Sequence, residues 1–403
     1  MIGSRHRMSW RSLAVAAAFL AALAPCRAAS PSQTGFVSRQ GTSFVLDGAP
    51  FRVAGVNNHY LTFASPKEVT NVLDDAVAMG ANVVRTFVQP VIGSPDGTVP
   101  TIWSWKSTGD SSDMGAKGRY VLSFDATKRQ MTFNDGPDGL QRLDFVVAEA
   151  RKRHLRLILS LLDFWGYGGG AQQISAWYGS SDKYTFFASD ARTRADYKTW
   201  VRHVLTRMNT LTGIALKDDP TVMAWDLMNE PDIHPIPLMV TWVAEMSSFV
   251  KSIDPRHLVA SGRASMREPF AELDLPNVDF GTWHGYPSYE NMTHDAFNTL
   301  IAKNCELATE YGKPMLLEEF GIPRWDANQA HAYRQWFGTI ASRPSCAGWV
   351  VWRLVSHQDG GAYPADQHDG FDVHADGSPT WQALRDGARA LQAVPQPARE
   401  GQK

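Results

Sequence analysis

From Phe36 to about residue 390 the chain alternates short apolar runs with longer stretches whose apolar residues recur at helical spacing. The apolar runs predict strands at Phe51 to Asn57, Asn82 to Phe87, Leu155 to Leu162, Val222 to Met228, Leu258 to Ser261, Val278 to Thr282, Met315 to Glu318 and Trp349 to Trp352. The intervening periodicity predicts helices at Pro66 to Met79, Leu140 to Arg153, Ala195 to Leu211, Pro237 to Ile253, Asp295 to Tyr311 and Ala327 to Ala341. Strands that are apolar on both faces belong in a parallel sheet covered by helices. Eight of them in a chain without repeats or long linkers point to an α/β fold closed as a (β/α)8 TIM barrel. An open doubly wound sheet is the rival, but its phosphate-binding loop after the first strand is absent.

Two segments depart from this regular alternation. Phe36-Val37 and Phe44-Val45-Leu46, divided by Gly41 and closed by Asp47-Gly48, predict a small N-terminal hairpin. Gln89 to Pro137 is long for one connection and carries a second expected hairpin, Tyr120 to Phe133, turned at Asp125 to Lys128. In a barrel this elaborated loop after the second strand lies on the C-terminal face, where sites are built. Gly166-Tyr167-Gly168-Gly169-Gly170 reads as a flexible loop.

Composition narrows the partners. Lys plus Arg is 39 against 41 Asp plus Glu, a formal net charge of −2, which gives no electrostatic case for nucleic acid or an anionic membrane. Fourteen tryptophans among 403 residues exceed ordinary usage; they suit either stacking on sugar rings or a Trp-rich core. Arg5, His6, Arg7 and Arg11 precede the apolar run Leu13 to Leu23, and small residues end at Ala28 and Ala29, the pattern of a secretory signal peptide over 1–28. A secreted protein, extracellular or periplasmic, is therefore expected, with a catalytic-size domain over 36–393 and a tail over 394–403. Leu23-Ala24-Pro25-Cys26 leaves lipidation at Cys26 as a lesser alternative, and otherwise no membrane contact is expected after the signal is removed. Cys305 and Cys346 remain for a disulfide, which an oxidising compartment permits without requiring.

Chemistry is expected at the ends of the apolar strands. The fourth strand runs into Asn229-Glu230-Pro231 and the seventh ends Glu318-Glu319-Phe320-Gly321. Two carboxyl groups brought to one cleft suit a retaining glycosidase: one protonates the leaving oxygen and the other attacks the anomeric carbon. Strand alternation sends Glu318 and Glu319 to opposite faces without saying which enters the cleft. There is no His-Glu-x-x-His helix for metal-dependent hydrolysis and no Gly-x-Ser-x-Gly elbow for a serine esterase, so no metal and no cofactor are expected.

Taken in order, the motifs resemble glycoside hydrolase family 5, in particular the secreted β-mannanases of plants and fungi. Phe51 to Asn58 resembles the first barrel strand, Asn82 to Phe87 the second with its arginine, and Gly168 to Trp177 a glycine, glutamine and tryptophan loop. Tyr197-Lys198 through Asn209-Thr210 into Lys217 to Pro220 leads into Met223 to Pro231, and Asp279 to Pro287 and Gly312 to Gly321 complete the likeness. The resemblance implies Glu230 as acid/base and Glu319 as nucleophile, with Glu318 the structural alternative. It implies Asn229 beside the sugar 2-hydroxyl, Arg85 and Tyr286 as donors to the nucleophile, and His284 near the acid/base. It also implies Trp352 under the sugar at the cleavage point and Trp165 lining the cleft. Many relatives carry Arg where this chain has Asp232, Trp where it has Phe87, and Tyr-Trp where it has His59-Tyr60.

The implied activity is retaining endo-hydrolysis of β-1,4-mannosidic bonds in mannan, galactomannan, glucomannan or manno-oligosaccharides, by a monomer. An endo-β-1,4-glucanase or an exo-β-mannosidase of the same clan is the alternative. A non-catalytic glycan-binding barrel would lack one of the two carboxylates.

Overall fold

The structure, a computed structural model, describes residues 35–188, 191–365 and 369–393. The expected signal peptide, Cys26 and the tail over 394–403 lie outside the described residues.

Three short antiparallel strands come first: β1 (Ser38–Gln40), β2 (Ser43–Leu46) and β3 (Ala49–Phe51). The expected hairpin is thus a three-stranded meander, because Asp47 and Gly48 turn at positive φ and feed one more strand. Barrel strands follow as β4 (Val53–Asn57) and β5 (Val83–Phe87). The expected hairpin in the long loop forms as β6 (Leu122–Asp125) and β7 (Gln130–Phe133). The barrel resumes with β8 (Arg156–Ser160), β9 (Val222–Asp226), β10 (Leu258–Ala260), β11 (Gly281–Gly285), β12 (Met315–Phe320) and β13 (Cys346–Val351). The eight strands pair in parallel in the order β10-β9-β8-β5-β4-β13-β12-β11, a TIM-barrel sheet with one seam between β10 and β11. The seam is joined at Asp279, whose N–H donates to the Val259 carbonyl and whose carboxylate accepts from the Val259 N–H, each at 2.8 Å. That pairing occupies the backbone where a strand starting at Val278 was expected, so β11 begins at Gly281.

Helices α1 (Pro66–Met79), α2 (Leu140–Lys152), α3 (Gly170–Trp177), α4 (Ala191–Thr206), α5 (Ile236–Ile253), α6 (His294–Tyr311), α7 (Gln329–Ala341) and α8 (Pro379–Ala393) surround the sheet. The first begins where Ser65 and Glu68 cap each other's backbone N–H and ends at left-handed Gly80, as its sequence dictates. Gly166 to Gly169 form a loop as expected, and Gly170 opens α3. Gly168, Gly169 and Gly170 hold positive φ, and a Cβ on Gly169 would lie 2.1 Å from the Val91 carbonyl oxygen, so these glycines permit close backbone packing at the start of α3. The last helix, not foreseen, buries Trp381, Leu384, Ala388 and Leu391 at helical spacing.

Inside the barrel the inward residues change character along each strand. At the N-terminal end Val53, Val83, Ile158, Leu258, Leu316 and Val350 join Phe44 and Phe51 of the meander in one apolar cluster. Phe44 meets Phe280 edge-on at 5.2 Å between ring centroids. At the C-terminal end the same faces present Asn57, Arg85, Asp226, His284 and Glu318, all buried. Six tryptophans (200, 225, 242, 283, 336 and 349) are fully buried, so much of the tryptophan excess belongs to the core.

Cys305 of α6 and Cys346 at the start of β13 form a disulfide spanning 41 residues. Removing it with Cys305→Ser and Cys346→Ser should cost about 4 kcal/mol, the loop-closure entropy of a loop that long. Chemical unfolding of the double variant reads this directly, and an unchanged midpoint would show that the crosslink contributes nothing.

Candidate active site

The second strand delivers Arg85 to the centre of the polar end. Its Nε donates to Asp226 Oδ2 at 2.7 Å, Nη1 to Glu319 Oε1 at 2.5 Å and to Asn57 Oδ1 at 3.1 Å, and Nη2 to Asn229 Oδ1 at 2.9 Å. One side chain with no solvent exposure thus ties together strands β4, β5, β9 and β12. Glu319 completes its shell with the Tyr286 hydroxyl, which donates to Oε2 at 2.9 Å. Glu230 receives two donors: His284 Nδ1 lies 2.6 Å from Oε1, and Trp165 Nε1 donates to Oε2 at 2.7 Å. A carboxylate oxygen of Glu230, one of Glu319 and a ring nitrogen of His284 all lie within 4.8 Å of one another. That separation is close to the about 5 to 5.5 Å of retaining glycosidases and well short of the about 6.5 to 9.5 Å of inverting ones.

Backbone features set these positions. Glu230 adopts φ +52°, a left-handed conformation that a side-chain-bearing residue rarely takes, and its N–H donates to the Gly262 carbonyl at 2.8 Å. Gly262 is required there: a Cβ would stand 1.9 Å from the Met228 carbonyl oxygen. On β12 the alternation expected for Glu318 and Glu319 fails. Trp283 of β11 pairs with Leu317 and His284 pairs with Glu319, so Glu318 is an extra residue in a β-bulge. Both carboxylates consequently reach Arg85, at 3.5 Å for Glu318 and 2.5 Å for Glu319.

Glu230, Glu319, Glu318, Asp226 and Asp163 crowd around Arg85 and His284, with the Lys183 ammonium also acting on Asp163 and Glu230. Burial raises Asp226 to about 7, reinforced by Glu318 against the pull of Arg85. It raises Asp163 to about 7 as well, with Glu230 and Glu319 adding to it and Asn229 opposing. Burial alone would strip the proton from His284, but Glu319, Glu230 and Glu318 outweigh it and raise the imidazole to about 10. Glu319 is raised by burial against the attraction of His284 and Arg85. Burial pushes Glu230 the same way, yet the hydrogen bond and charge of His284, with Trp165, hold it below the ordinary range.

Asp163, Asp226, His284 and Glu319 are all raised, and Glu230 is lowered. Asp163 and Asp226 bind protons more tightly folded than unfolded, so their stabilisation is complete below about 3.8 and is lost as pH rises through about 7. The contribution of His284 is complete below 6.5 and is lost as pH rises through about 10. Tm measured by calorimetry should therefore fall steadily from about pH 5 to about pH 10; a rise over that interval would contradict these proton assignments.

A cleft of about 920 Å³ opens above the cluster, lined by Glu230, Glu319, Asn229, Trp165, Tyr286 and Trp352 among others. Phe87 stacks on Trp352 at 6.1 Å, and His59 stands 6.0 Å from the same ring. The long loop supplies Ile102, Trp103, Ser112 and Asp113 to one wall. It is fastened by the Ser111 hydroxyl donating to Glu68 at 2.8 Å and by Arg353 reaching Ser112 at 3.3 Å.

The pattern described as GH family 5 beta-mannosidase-like matches residues 110–342, more than half of the chain. The chain belongs to glycoside hydrolase family 5. Within that family it is similar to a putative mannan endo-1,4-beta-mannosidase 9 of Oryza sativa subsp. japonica, 31% identical over 85% of this chain and 87% of the relative. It is 29% identical to a probable mannan endo-1,4-beta-mannosidase A of Aspergillus flavus, over 84% of each chain. Among solved structures, the endo-1,4-beta-mannanase of Rhizomucor miehei superposes with a TM-score of 0.75 at 27% identity, covering 89% of this chain and 99% of that one.

As a family 5 chain it brings together the residues to which its sequence assigned roles: Arg85, Trp165, Asn229, Glu230, His284, Tyr286, Glu319 and Trp352 share one cleft and its floor. Asp232 lies outside that set, bound by the Tyr184 hydroxyl at 3.1 Å and by His234 at 2.8 Å. Three participants were not foreseen. Asp163 accepts from Asn229 Nδ2 at 3.0 Å, Asp226 anchors Arg85, and Lys183 places its ammonium 3.5 Å over the Trp165 ring. For the two aspartates a signal existed, since Asp163 directly follows one apolar run and Asp226 interrupts another. Lys183 carried none.

Proposed function

We propose that this family 5 chain is a retaining endo-β-1,4-mannanase in which Glu319 is the nucleophile and Glu230 the acid/base. The observation that carries the proposal is the pair of carboxyl groups, within 4.8 Å through their oxygens, from two strand ends in one cleft. The mannanase names of the rice, Aspergillus and Rhizomucor relatives support mannan as the polymer. A cleft of about 920 Å³ has room for several sugar rings.

In the first step Glu319 attacks the anomeric carbon as the glycosidic C–O bond breaks, and the leaving oxygen takes a proton from Glu230. In the second, Glu230 takes a proton from water as its oxygen attacks the same carbon and releases Glu319. Arg85 and Tyr286 aim the Glu319 oxygens through charge-assisted and hydroxyl hydrogen bonds. The hydroxyl of Tyr286 stays protonated, because burial and the charge of Glu319 push it well above the usual phenol range. Asn229, fixed between Arg85 and Asp163, keeps an amide N–H for the sugar 2-hydroxyl. Trp352 offers its ring as the platform under the sugar that is cleaved. The disulfide and the basic-then-apolar N-terminal sequence support export as the destination.

Product analysis on mannohexaose in ¹⁸O-labelled water tests the proposal. Early release of mannobiose and mannotriose, labelled at the newly formed reducing end and first appearing as the β-anomer, is expected. Release of mannose alone would make the enzyme exo-acting, an initial α-anomer would make it inverting, and cleavage of carboxymethyl cellulose in preference to mannan would make it a glucanase.

A further inference from the structure

Glu318 is not used by the reaction just described, although it sits beneath it. Its side chain has no solvent exposure, and Oε1 has no hydrogen-bond partner. Its other oxygen faces two donors, His284 Nε2 at 3.4 Å and Arg85 Nε at 3.5 Å. A buried carboxylate so sparsely satisfied is costly, and a leucine in its place would fill the same space without that cost. Leu316 points into the barrel, so alternation along β12 sends Glu318 inward as well, and the β-bulge brings Glu319 in beside it.

His284 is the group it faces. The two ring nitrogens have different neighbours: Nδ1 looks up at Glu230 at 2.6 Å and Glu319 at 3.5 Å, while Nε2 looks down at Glu318. Other groups bearing on the ring are Arg85 of β5 and Asp226 of β9, the latter joined to the cluster through Arg85. Neutral imidazole carries one proton, and which nitrogen keeps it depends on where an acceptor is fixed.

We propose that Glu318 is a positioning residue that fixes the tautomer of His284, so that the Nδ1 proton, and never the Nε2 proton, is the one exchanged with Glu230. The inference rests on the acid/base assignment above and deepens it. In the resting site His284 is doubly protonated and Glu230 ionised. On glycosidic cleavage the Nδ1 proton passes to Glu230, which delivers it to the leaving oxygen; His284 is left neutral, its Nε2–H held by Glu318. On hydrolysis of the glycosyl-enzyme, water gives a proton to Glu230, which returns it to Nδ1. Protons balance over the cycle. Without the acceptor below, neutral His284 can keep its proton at Nδ1, and Glu230 has nothing to deliver. The same logic governs the carboxylate that orients histidine in a serine-protease triad.

Two substrates and two variants test this. In Glu318→Leu, kcat on mannohexaose should fall about 100-fold, the lower end of what general acid catalysis supplies, with KM changed less than about 2-fold. The kcat/KM for 2,4-dinitrophenyl β-mannoside, whose leaving group needs no proton, should stay within about 3-fold of wild type. Glu318→Gln, whose amide oxygen still accepts the Nε2 proton, should recover at least about a tenth of wild-type kcat on mannohexaose. Equal losses on both substrates, or none on mannohexaose, overturn the proposal. In the wild-type enzyme, ¹⁵N spectra of the histidine rings above the titration of His284 should show the neutral ring protonated at Nε2; protonation at Nδ1 overturns the proposal even where Glu318→Leu fails to fold. Labelling with 2-deoxy-2-fluoro-β-mannosyl fluoride keeps the two levels apart. Adduct formation on Glu319 in both variants leaves the nucleophile standing whatever becomes of Glu318, whereas an adduct on Glu318 removes the underlying assignment.

Discussion

Glu319→Ala is expected to lower kcat on mannohexaose by about 10⁵ while leaving oligosaccharide binding measurable. Losing a nucleophile removes the covalent route as a whole, and what remains is the rate provided by binding and the surrounding donors. Arg85 and Tyr286 stay in place, so the vacated space is lined by donors that accept a small anion. Azide should enter it and attack the activated 2,4-dinitrophenyl β-mannoside from the face that Glu319 occupied, giving α-mannosyl azide. Product stereochemistry by proton NMR decides the matter. A β-azide, or activity near wild type, would place the nucleophile elsewhere.

Glu230→Ala comes second in size. On mannohexaose the loss should reach about 10³ to 10⁴ in kcat, the full span of general acid catalysis. On 2,4-dinitrophenyl β-mannoside the first step needs no acid, so the glycosyl-enzyme should accumulate and appear as a burst. Azide then intercepts that intermediate and yields β-mannosyl azide, the opposite anomer from the nucleophile variant. The pH profile carries an independent signature. Because His284 holds Glu230 below the ordinary carboxyl range while itself rising to about 10, the pair retains its shared proton well above the pH at which an isolated glutamic acid would lose it. The alkaline limb of kcat should therefore lie far above 4.5 in the parent and vanish in Glu230→Ala on the activated substrate. An alkaline limb unchanged by the substitution would assign it to another group.

Much of the barrel was readable in the chain because parallel strands are buried on both faces and write themselves as apolar runs. All eight barrel strands fall on or beside the expected segments, and the largest displacement, at β11, traces to the Asp279 seam contact, a long-range event that no local pattern encodes. The two glutamates were legible for the same reason: a carboxylate at the end of an apolar run has no core to join. What the sequence hid depends on register. Alternation sends Glu318 and Glu319 apart, and only the pairing of His284 with Glu319 reveals the extra residue that brings both inside. Asp163 and Asp226 were passed over, since their value lies in the Asn229 and Arg85 atoms they hold. Lys183 reaches Trp165 from a connecting segment after α3, where periodicity carries no information.

The left-handed backbone of Glu230 sets evolution two opposed tasks at one position. A catalyst must have a side chain there, and any side chain is worse tolerated than glycine by about 1 kcal/mol in that conformation. An inactive Glu230→Gly protein should thus outlast a Glu230→Ala protein on heating, since both lose the same partners at His284 and Trp165 and only one keeps the strain.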